Sequence, residues 1–212
     1  MEKKILSLNA EGKLVVKSAD GREQAVSPSP AVFQRGRAIA WLLIDTSSSM
    51  DGGKIDQVKA GALDFARTAI RKNYLVGLVK FDSYAALLCG PTASFSLILA
   101  KTEELVADNG TDLAPALAIV SQKLMGCRGR RVILVATDGA TTDPAGCLIT
   151  AEKMKKDGVE ILAISTPDAD RDFLEKLVSR KDLNLQMEGN EFRKGMDAIA
   201  RKLPTHSLED KR

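Results

Sequence analysis

Apolar residues from position 38 onward alternate between short continuous runs and stripes at helical spacing. Ala38–Asp45 is a nearly continuous apolar run, typical of a parallel strand buried on both faces. Within Lys54–Lys72 the apolar residues trace one face of a helix. Tyr74–Phe81 is a second predicted strand, and only a short connection separates it from a third at Ala85–Cys89. Because a parallel crossover needs about a dozen residues or more, these two strands must pair antiparallel.

The same alternation continues toward the C-terminus. We expect helices at residues 96–107, 113–125, from 143 onward, 170–179 and 190–203, and strands at residues 131–137, 159–165 and 183–187. This order predicts an α/β fold: an open, doubly wound, mostly parallel sheet with one short antiparallel edge strand and helices on both faces. Such sheets bind ligands beyond the carboxyl ends of their strands, where the strand order reverses.

The two ends of the chain follow a different pattern. Lys4–Asn9 and Lys13–Ser18 are strand-like runs that predict an N-terminal β-hairpin. A Pro/Ser stretch follows at residues 27–30 and is the best candidate for a boundary. We therefore divide the chain into a hairpin extension with its linker (1–37), a domain of residues 38–203 and a polar tail (204–212). The tail is expected to be frayed from Thr205 onward.

Composition narrows the class of protein. A length of 212 residues favours one large domain, and a net charge of +3 with no long basic stripe argues against nucleic-acid binding. No apolar run approaches the roughly 20 residues that span a bilayer, and no secretory signal is visible. Cys89, Cys127 and Cys147 are an odd number of cysteines with no C-x-x-C pair, which indicates buried thiols in a reducing compartment. We therefore expect a cytoplasmic protein without a membrane span.

The single histidine also excludes several kinds of site. His206 lies in the polar C-terminal tail. That position argues against a Ser-His-Asp or Cys-His catalytic set and against a histidine-ligated zinc site. Any metal bound here would have to be held by other residue types.

Oxygen-bearing side chains occur in three loops of the predicted sheet. Asp45, Ser47 and Ser49 follow the first strand of the domain, Thr111 precedes the helix at 113–125, and Asp138 follows the strand at 131–137. If these loops converge, two carboxylates and three hydroxyls meet, which are ligands suited to Mg²⁺, Mn²⁺ or Ca²⁺. Alternation along an extended turn would put the first three side chains on one side. With so few negative charges, the ion would accept one more carboxylate from outside.

This set of positions resembles the metal-ion-dependent adhesion site of a von Willebrand factor type A domain. The resemblance covers residues 38 to about 203 and rests on D-x-S-x-S at 45–49, on Thr111 and on T-D-G at 137–139. It implies that the two serines bind the metal directly, that Thr111 binds it directly or through water, and that the two aspartates act mostly through water.

The same resemblance raises two points outside the site itself. It implies that ligand binding can be coupled to a shift of the last helix, residues 190–203. Residues 1–37 lie outside the family core and are either an edge hairpin on the sheet or a partner-docking arm. Asp82, at the end of the second strand, is interpreted as structural and away from the site.

We predict a non-enzymatic interaction module in which a bound Mg²⁺ accepts a Glu or Asp side chain from a protein partner. A second reading, implied by the family alone, is a scaffold or co-chaperone subunit of an AAA+ ATPase or metal-insertase complex. A metal-dependent phosphohydrolase of the haloacid dehalogenase type is the least favoured. Ser47 stands where that family needs a second aspartate, and the motif loops contain no histidine or lysine.

Overall fold

A computed structural model describes residues 5–8, 14–17, 23–25 and 36–206. The chain divides into two compact units, residues 1–35 and 36–212. In the first unit, Ile5–Leu8 (β1), Leu14–Lys17 (β2) and Glu23–Ala25 (β3) form an antiparallel sheet in that order. The β1–β2 pair matches the predicted hairpin, whereas β3 was not predicted because its short polar sequence has no alternating pattern. The predicted boundary at 27–30 lies outside the described residues.

The second unit is built on a six-stranded sheet with the order β6-β5-β4-β7-β8-β9. All neighbouring strands pair in parallel except β5 and β6, which are antiparallel. The predicted fold class is therefore confirmed. The strands are Ala38–Asp45 (β4), Tyr74–Phe81 (β5), Ala85–Thr92 (β6), Arg131–Thr137 (β7), Val159–Ser165 (β8) and Asn184–Gln186 (β9).

Helices cover both faces of this sheet. They are Lys54–Arg71 (α1), Phe95–Glu103 (α2), Ala114–Leu124 (α3), Pro144–Lys156 (α4), Arg171–Leu177 (α5) and Phe192–Lys202 (α6). Short 3₁₀ turns occur at Ser48–Met50, Lys181–Leu183 and Gly189–Glu191. Helix α2 ends earlier than the predicted 107, because the following chain turns toward β4, where the Asp108 N–H donates to the Thr46 carbonyl at 2.6 Å.

Burial along β4 shows how the strand serves two cores. Ala38, Ala40, Leu42 and Ile44 belong to the cluster that includes α1 and α6, while Ile39, Trp41 and Leu43 belong to the cluster that includes α3, α4 and α5. A strand sandwiched in this way has no polar face, which explains its continuous apolar sequence. Trp41 lies opposite Gly77 of β5, and a Cβ added there would lie 2.5 Å from the indole ring.

The predicted fraying of the tail is wrong as far as His206. The His206 N–H donates to the Lys72 carbonyl at 3.0 Å, and the Asn73 side-chain amide donates to the His206 carbonyl at 2.8 Å. The imidazole Nε2 lies 2.9 Å from the Gly36 carbonyl oxygen. The segment after α6 is thus bonded to both the end of α1 and the start of the unit. Residues 207–212 lie outside the described part of the chain.

Strand order sets the place where a site can form. Strand β4 lies between β5 and β7, so the chain leaves β4 toward one edge and later returns to its other side. The loops that follow β4 and β7 are therefore neighbours at the carboxyl edge of the sheet, at the reversal point where α/β sheets bind ligands. Asp45 ends β4, and Asp138 follows directly after β7.

Candidate metal centre

Asp45 is a fully buried carboxylate at the end of β4. Its Oδ1 accepts a hydrogen bond from the Ser47 N–H at 2.8 Å, and its Oδ2 accepts one from the Thr137 hydroxyl at 2.5 Å. Burial raises the pKa of Asp45 to about 6 despite these hydrogen bonds, and the charge of Asp138 adds to the shift. Ionisation of Asp45 is therefore less favourable here than it would be in water.

The two motif serines connect Asp45 to Asp138. Ser47 Oγ lies 3.0 Å from Ser49 Oγ, and Ser49 Oγ donates to Asp138 Oδ1 at 2.7 Å. The backbone between them is not the expected extended turn, because it enters the 3₁₀ turn at Ser48–Met50. This turn nevertheless brings the hydroxyls of Ser47 and Ser49 together.

Asp138 is held at three of its atoms. Its carboxylate accepts the Ser49 hydroxyl on one oxygen and the Lys54 ammonium on the other, with Nζ 2.5 Å from Oδ2. Its backbone carbonyl accepts the Thr166 hydroxyl at 3.2 Å, which ties the loop after β7 to the end of β8. The Asp138 side chain is 1% exposed and that of Lys54 is 30% exposed. A cation is therefore already present beside this carboxylate.

Thr111 lies next to this cluster but is not hydrogen-bonded to it. Its carbonyl accepts both the N–H and the hydroxyl of Thr142 at 2.9 Å, which fixes it against the segment after β7. Its hydroxyl would lie 3.8 Å from a Cβ on Gly139. Within residues 36–206 its side chain makes no hydrogen bond to the four other predicted ligands. The structure thus joins four of the five predicted residues and puts the fifth beside them.

Asp82 has the structural role expected from the sequence, but it is closer to the site than predicted. It accepts hydrogen bonds from the Tyr84 N–H at 2.9 Å and from the Thr46 hydroxyl at 3.2 Å. Its own N–H and carbonyl join the loops around it. Burial alone would raise the pKa of Asp82, but the hydrogen bonds from Tyr84 and Lys80 lower it. Asp82 therefore supports the loop that carries Thr46.

Lys54 is the residue that sequence reasoning missed. It lies outside the motif loops, as the first residue of α1, and its ammonium nevertheless reaches Asp138. One signal was available in the sequence: a lysine at the start of a helix opposes the helix dipole, so its charge needs a partner elsewhere. Which partner it finds depends on the tertiary structure.

The donor set fits a hard cation better than a soft one. Among the residues that the structure describes, no group of three or more His, Cys, Asp or Glu side chains could hold a metal. An ion at this edge would depend on two carboxylates together with hydroxyl oxygens, which is chemistry suited to Mg²⁺, Mn²⁺ or Ca²⁺. The Lys54 ammonium against Asp138 shows that this edge of the sheet already accommodates one positive charge.

Comparison with known proteins agrees with this architecture. The family model for the von Willebrand factor type A domain matches residues 40–140, a range that includes all five predicted ligands. None of the curated proteins matches the sequence. The family match and the fold together support a von Willebrand factor type A domain.

Solved structures with this fold come from varied sources. The von Willebrand factor domain of the type V pili tip protein Mfa5 from Porphyromonas gingivalis has a TM-score of 0.70 at 13% identity, covering 79% of this chain and 95% of that one. An aerotolerance-related membrane protein from Bacteroides fragilis has a TM-score of 0.62 at 15% identity, covering 78% of this chain and 100% of that one.

A third neighbour holds a metal at its adhesion site. Proximal thread matrix protein 1 from the mussel byssus, with a zinc-occupied motif, has a TM-score of 0.66 at 16% identity. The match covers 79% of this chain and 46% of the mussel protein, so this chain spans less than half of that protein. Identities this low establish the fold alone.

One further finding concerns membranes. In the part of the chain that the structure describes, no helix has both the length and the apolar character needed to cross a bilayer.

Proposed function

We propose that this chain is a non-enzymatic, divalent-metal-dependent protein-interaction module. Asp45, Ser47, Ser49, Thr111 and Asp138 would hold a Mg²⁺ ion, with Mn²⁺ or Ca²⁺ as alternatives. The ion, when bound, would supply an open coordination position for a Glu or Asp side chain of a protein partner. The proposal is carried by one observation: hydrogen bonds link Asp45, Ser47, Ser49 and Asp138 in series at the reversal point of the sheet, with Asp45 held by the Ser47 N–H and Asp138 by the Ser49 hydroxyl.

The residues linked in this series have separable roles in this proposal. Asp45 orients the start of the loop, because its carboxylate holds the Ser47 N–H. Thr137 holds the other oxygen of Asp45 and so restricts the carboxylate to one orientation. Ser47 and Ser49 present neutral oxygens, which leave an ion with residual positive charge. That residual charge is what would attract an acidic side chain from outside.

The test measures metal binding and partner binding on the same protein. Isothermal titration with Mg²⁺ should show one site in the wild type and none in a Ser47→Ala, Ser49→Ala double variant. A library of Glu- and Asp-containing peptides should be bound in Mg²⁺ and released in EDTA. Peptide affinity that is equal in Mg²⁺ and in EDTA would contradict the proposal.

A matched control is available in the same loop. Ser48 lies between the two serines, is exposed, and its side chain has no hydrogen bond within the described residues. Ser48→Ala should therefore leave Mg²⁺ binding unchanged. If Ser48→Ala lost the ion as completely as the double variant, the effect would come from the loop backbone and not from the proposed ligands.

The proposal also includes the cellular compartment in which the protein resides. Cys89, Cys127 and Cys147 are buried in the cores, as the sequence predicts, and burial raises the pKa of each thiol. We propose a cytoplasmic location, where thiols stay reduced. Fractionation of the native host with an antibody against the chain would test it, and recovery in a surface or envelope fraction would contradict it.

A further inference from the structure

The charge of Lys54 is poorly matched to its local position. Lys54 is the first residue of the 18-residue helix α1, and the preceding Gly53 offers no side-chain cap. The N-terminus of a helix carries partial positive charge, so a cation is disfavoured there. A local preference therefore does not explain why an ammonium lies at this edge of the sheet.

Two tertiary contacts hold the lysine instead. Its ammonium is 2.5 Å from Asp138 Oδ2, and that carboxylate is 1% exposed. Its aliphatic stem lies over Gly189, in the 3₁₀ turn before α6, where an added Cβ would lie 2.8 Å from Lys54 Cγ. The tip is thus fixed by a buried carboxylate and the stem by a backbone without a side chain. This double restraint directs the ammonium toward Asp138, although the side chain of Lys54 stays partly exposed.

Asp168 is a second carboxylate within the electrostatic range of Lys54. A hydrogen bond from Thr166 lowers the pKa of Asp168, and the charge of Lys54 contributes in the same direction. Asp168 is exposed and follows β8, next to the Thr166 hydroxyl that holds the Asp138 carbonyl. An ammonium that leaves Asp138 would therefore have another acidic group close by.

We propose that Lys54 is an internal cation that neutralises Asp138 in the metal-free protein and competes with the divalent ion for this carboxylate. The inference rests on the proposed function, because it assumes that the site takes a metal. When the site is filled, the Lys54–Asp138 pair breaks and the ammonium moves toward solvent or Asp168. Lys54 would thereby keep the loops assembled without metal while weakening the affinity for the ion.

The experiment compares Mg²⁺ affinity among four versions of this chain, the wild type and three variants, by isothermal titration after treatment with EDTA. Lys54→Met removes the charge and keeps most of the stem, whereas Lys54→Arg keeps the charge. Lys59→Met is the matched control, since Lys59 lies on the same helix and has no hydrogen bond or ion pair within the described residues. Removal of a positive charge beside the ion should tighten Mg²⁺ binding by about tenfold or more. Lys54→Arg and Lys59→Met should stay within about threefold of the wild type.

A second readout uses thermal unfolding. Lys54→Met should melt at a lower temperature than the wild type in EDTA, because Asp138 then lacks a cation, and this difference should shrink in saturating Mg²⁺. Lys59→Met should show no such dependence on the ion. A melting difference that is the same in both buffers would contradict competition and leave an ordinary ion pair.

Each titration outcome has one meaning. Tighter binding by Lys54→Met alone, relative to a wild type that binds, supports the inference. Equal affinity in the wild type and Lys54→Met overturns the inference but leaves the proposed function intact. Equal gains in Lys54→Met and Lys54→Arg also overturn it, because the charge would then be irrelevant. No binding by any of the four proteins overturns the proposed function itself.

Discussion

Helix α1 has a lysine at each end, and the two lysines behave differently. Lys72, directly after the helix, donates to the carbonyls of Ala200, Arg201 and Leu203 at 3.2, 2.5 and 2.5 Å. These carbonyls belong to the C-terminal end of α6, where a cation is favoured by the helix dipole. Lys54, at the other end of α1, opposes its own helix dipole and is held by Asp138.

The comparison distinguishes Lys72, which stabilises the fold, from Lys54, which lies in the candidate site. At the Lys72 end, charge, hydrogen bonding and helix dipole all favour the same arrangement. At the Lys54 end, a cation at a helix N-terminus is paired with the buried carboxylate of Asp138, and burial raises the pKa of Asp45 in the same cluster. Conflicts between local preference and tertiary placement are expected at functional sites. The comparison is therefore consistent with the proposed binding at the Lys54 end of α1, and the following predictions test it.

The largest expected effect is at the structural end. Lys72→Met removes a charged donor that serves three carbonyls, so the free energy of unfolding should fall by about 2–3 kcal/mol. The loss should be the same in Mg²⁺ and in EDTA, because Lys72 lies at the end of α1 that does not carry the site. Urea denaturation in both buffers measures it. A loss restricted to EDTA would remove the distinction between the two ends.

In the candidate site, at the Lys54 end of α1, removal of the Asp45 charge should stabilise the protein. The folded-state pKa of Asp45, about 6, lies above the ordinary value of 3.8, so ionisation of this group opposes folding. In EDTA the wild type should lose stability as the pH rises from about 4 to about 6 and then level off. Asp45→Asn should remove this loss and be more stable than the wild type at pH 8 by about 1–3 kcal/mol.

Measurement at two pH values sharpens that prediction. Denaturation in EDTA at pH 8 should show the gain, and the difference between the two proteins should nearly vanish at pH 4. Asp51→Asn is a suitable control, since Asp51 is exposed in the same loop and, among the described residues, its side chain accepts only the N–H of Gly52. A variant Asp45→Asn that is less stable than the wild type at pH 8 would show that the carboxylate is needed for folding.

The smallest effect is expected where His206 meets the rest of the chain. His206→Ala removes only the ring contact with the Gly36 carbonyl and retains both backbone hydrogen bonds to the Lys72–Asn73 segment. The free energy of unfolding should fall by about 0.5–1 kcal/mol. Chemical denaturation of the variant measures this. A loss as large as that of Lys72→Met would mean that the ring, and not the lysine, holds this end of the molecule.

Most of the architecture could be predicted because burial dictates sequence pattern. Strand β4 is buried on both faces and is therefore apolar throughout, and α1 is buried on one face and therefore shows a helical stripe. Elements that depend on partners were less predictable. Strand β3 has no alternating pattern, and the end of α2 depends on the hydrogen bond between Asp108 and Thr46.

The properties of the candidate site were likewise predictable only in part. The sequence by itself determined the chemical character of the site, because Asp45, Ser47, Ser49, Thr111 and Asp138 are oxygen donors in loops at strand ends, and residue type limits the ions they suit. Only the tertiary structure decided that Lys54 pairs with Asp138, that Thr111 lies beside Gly139 and that burial raises the pKa of Asp45. These properties depend on distances and dielectric surroundings, which arise when strands distant in sequence align in one sheet.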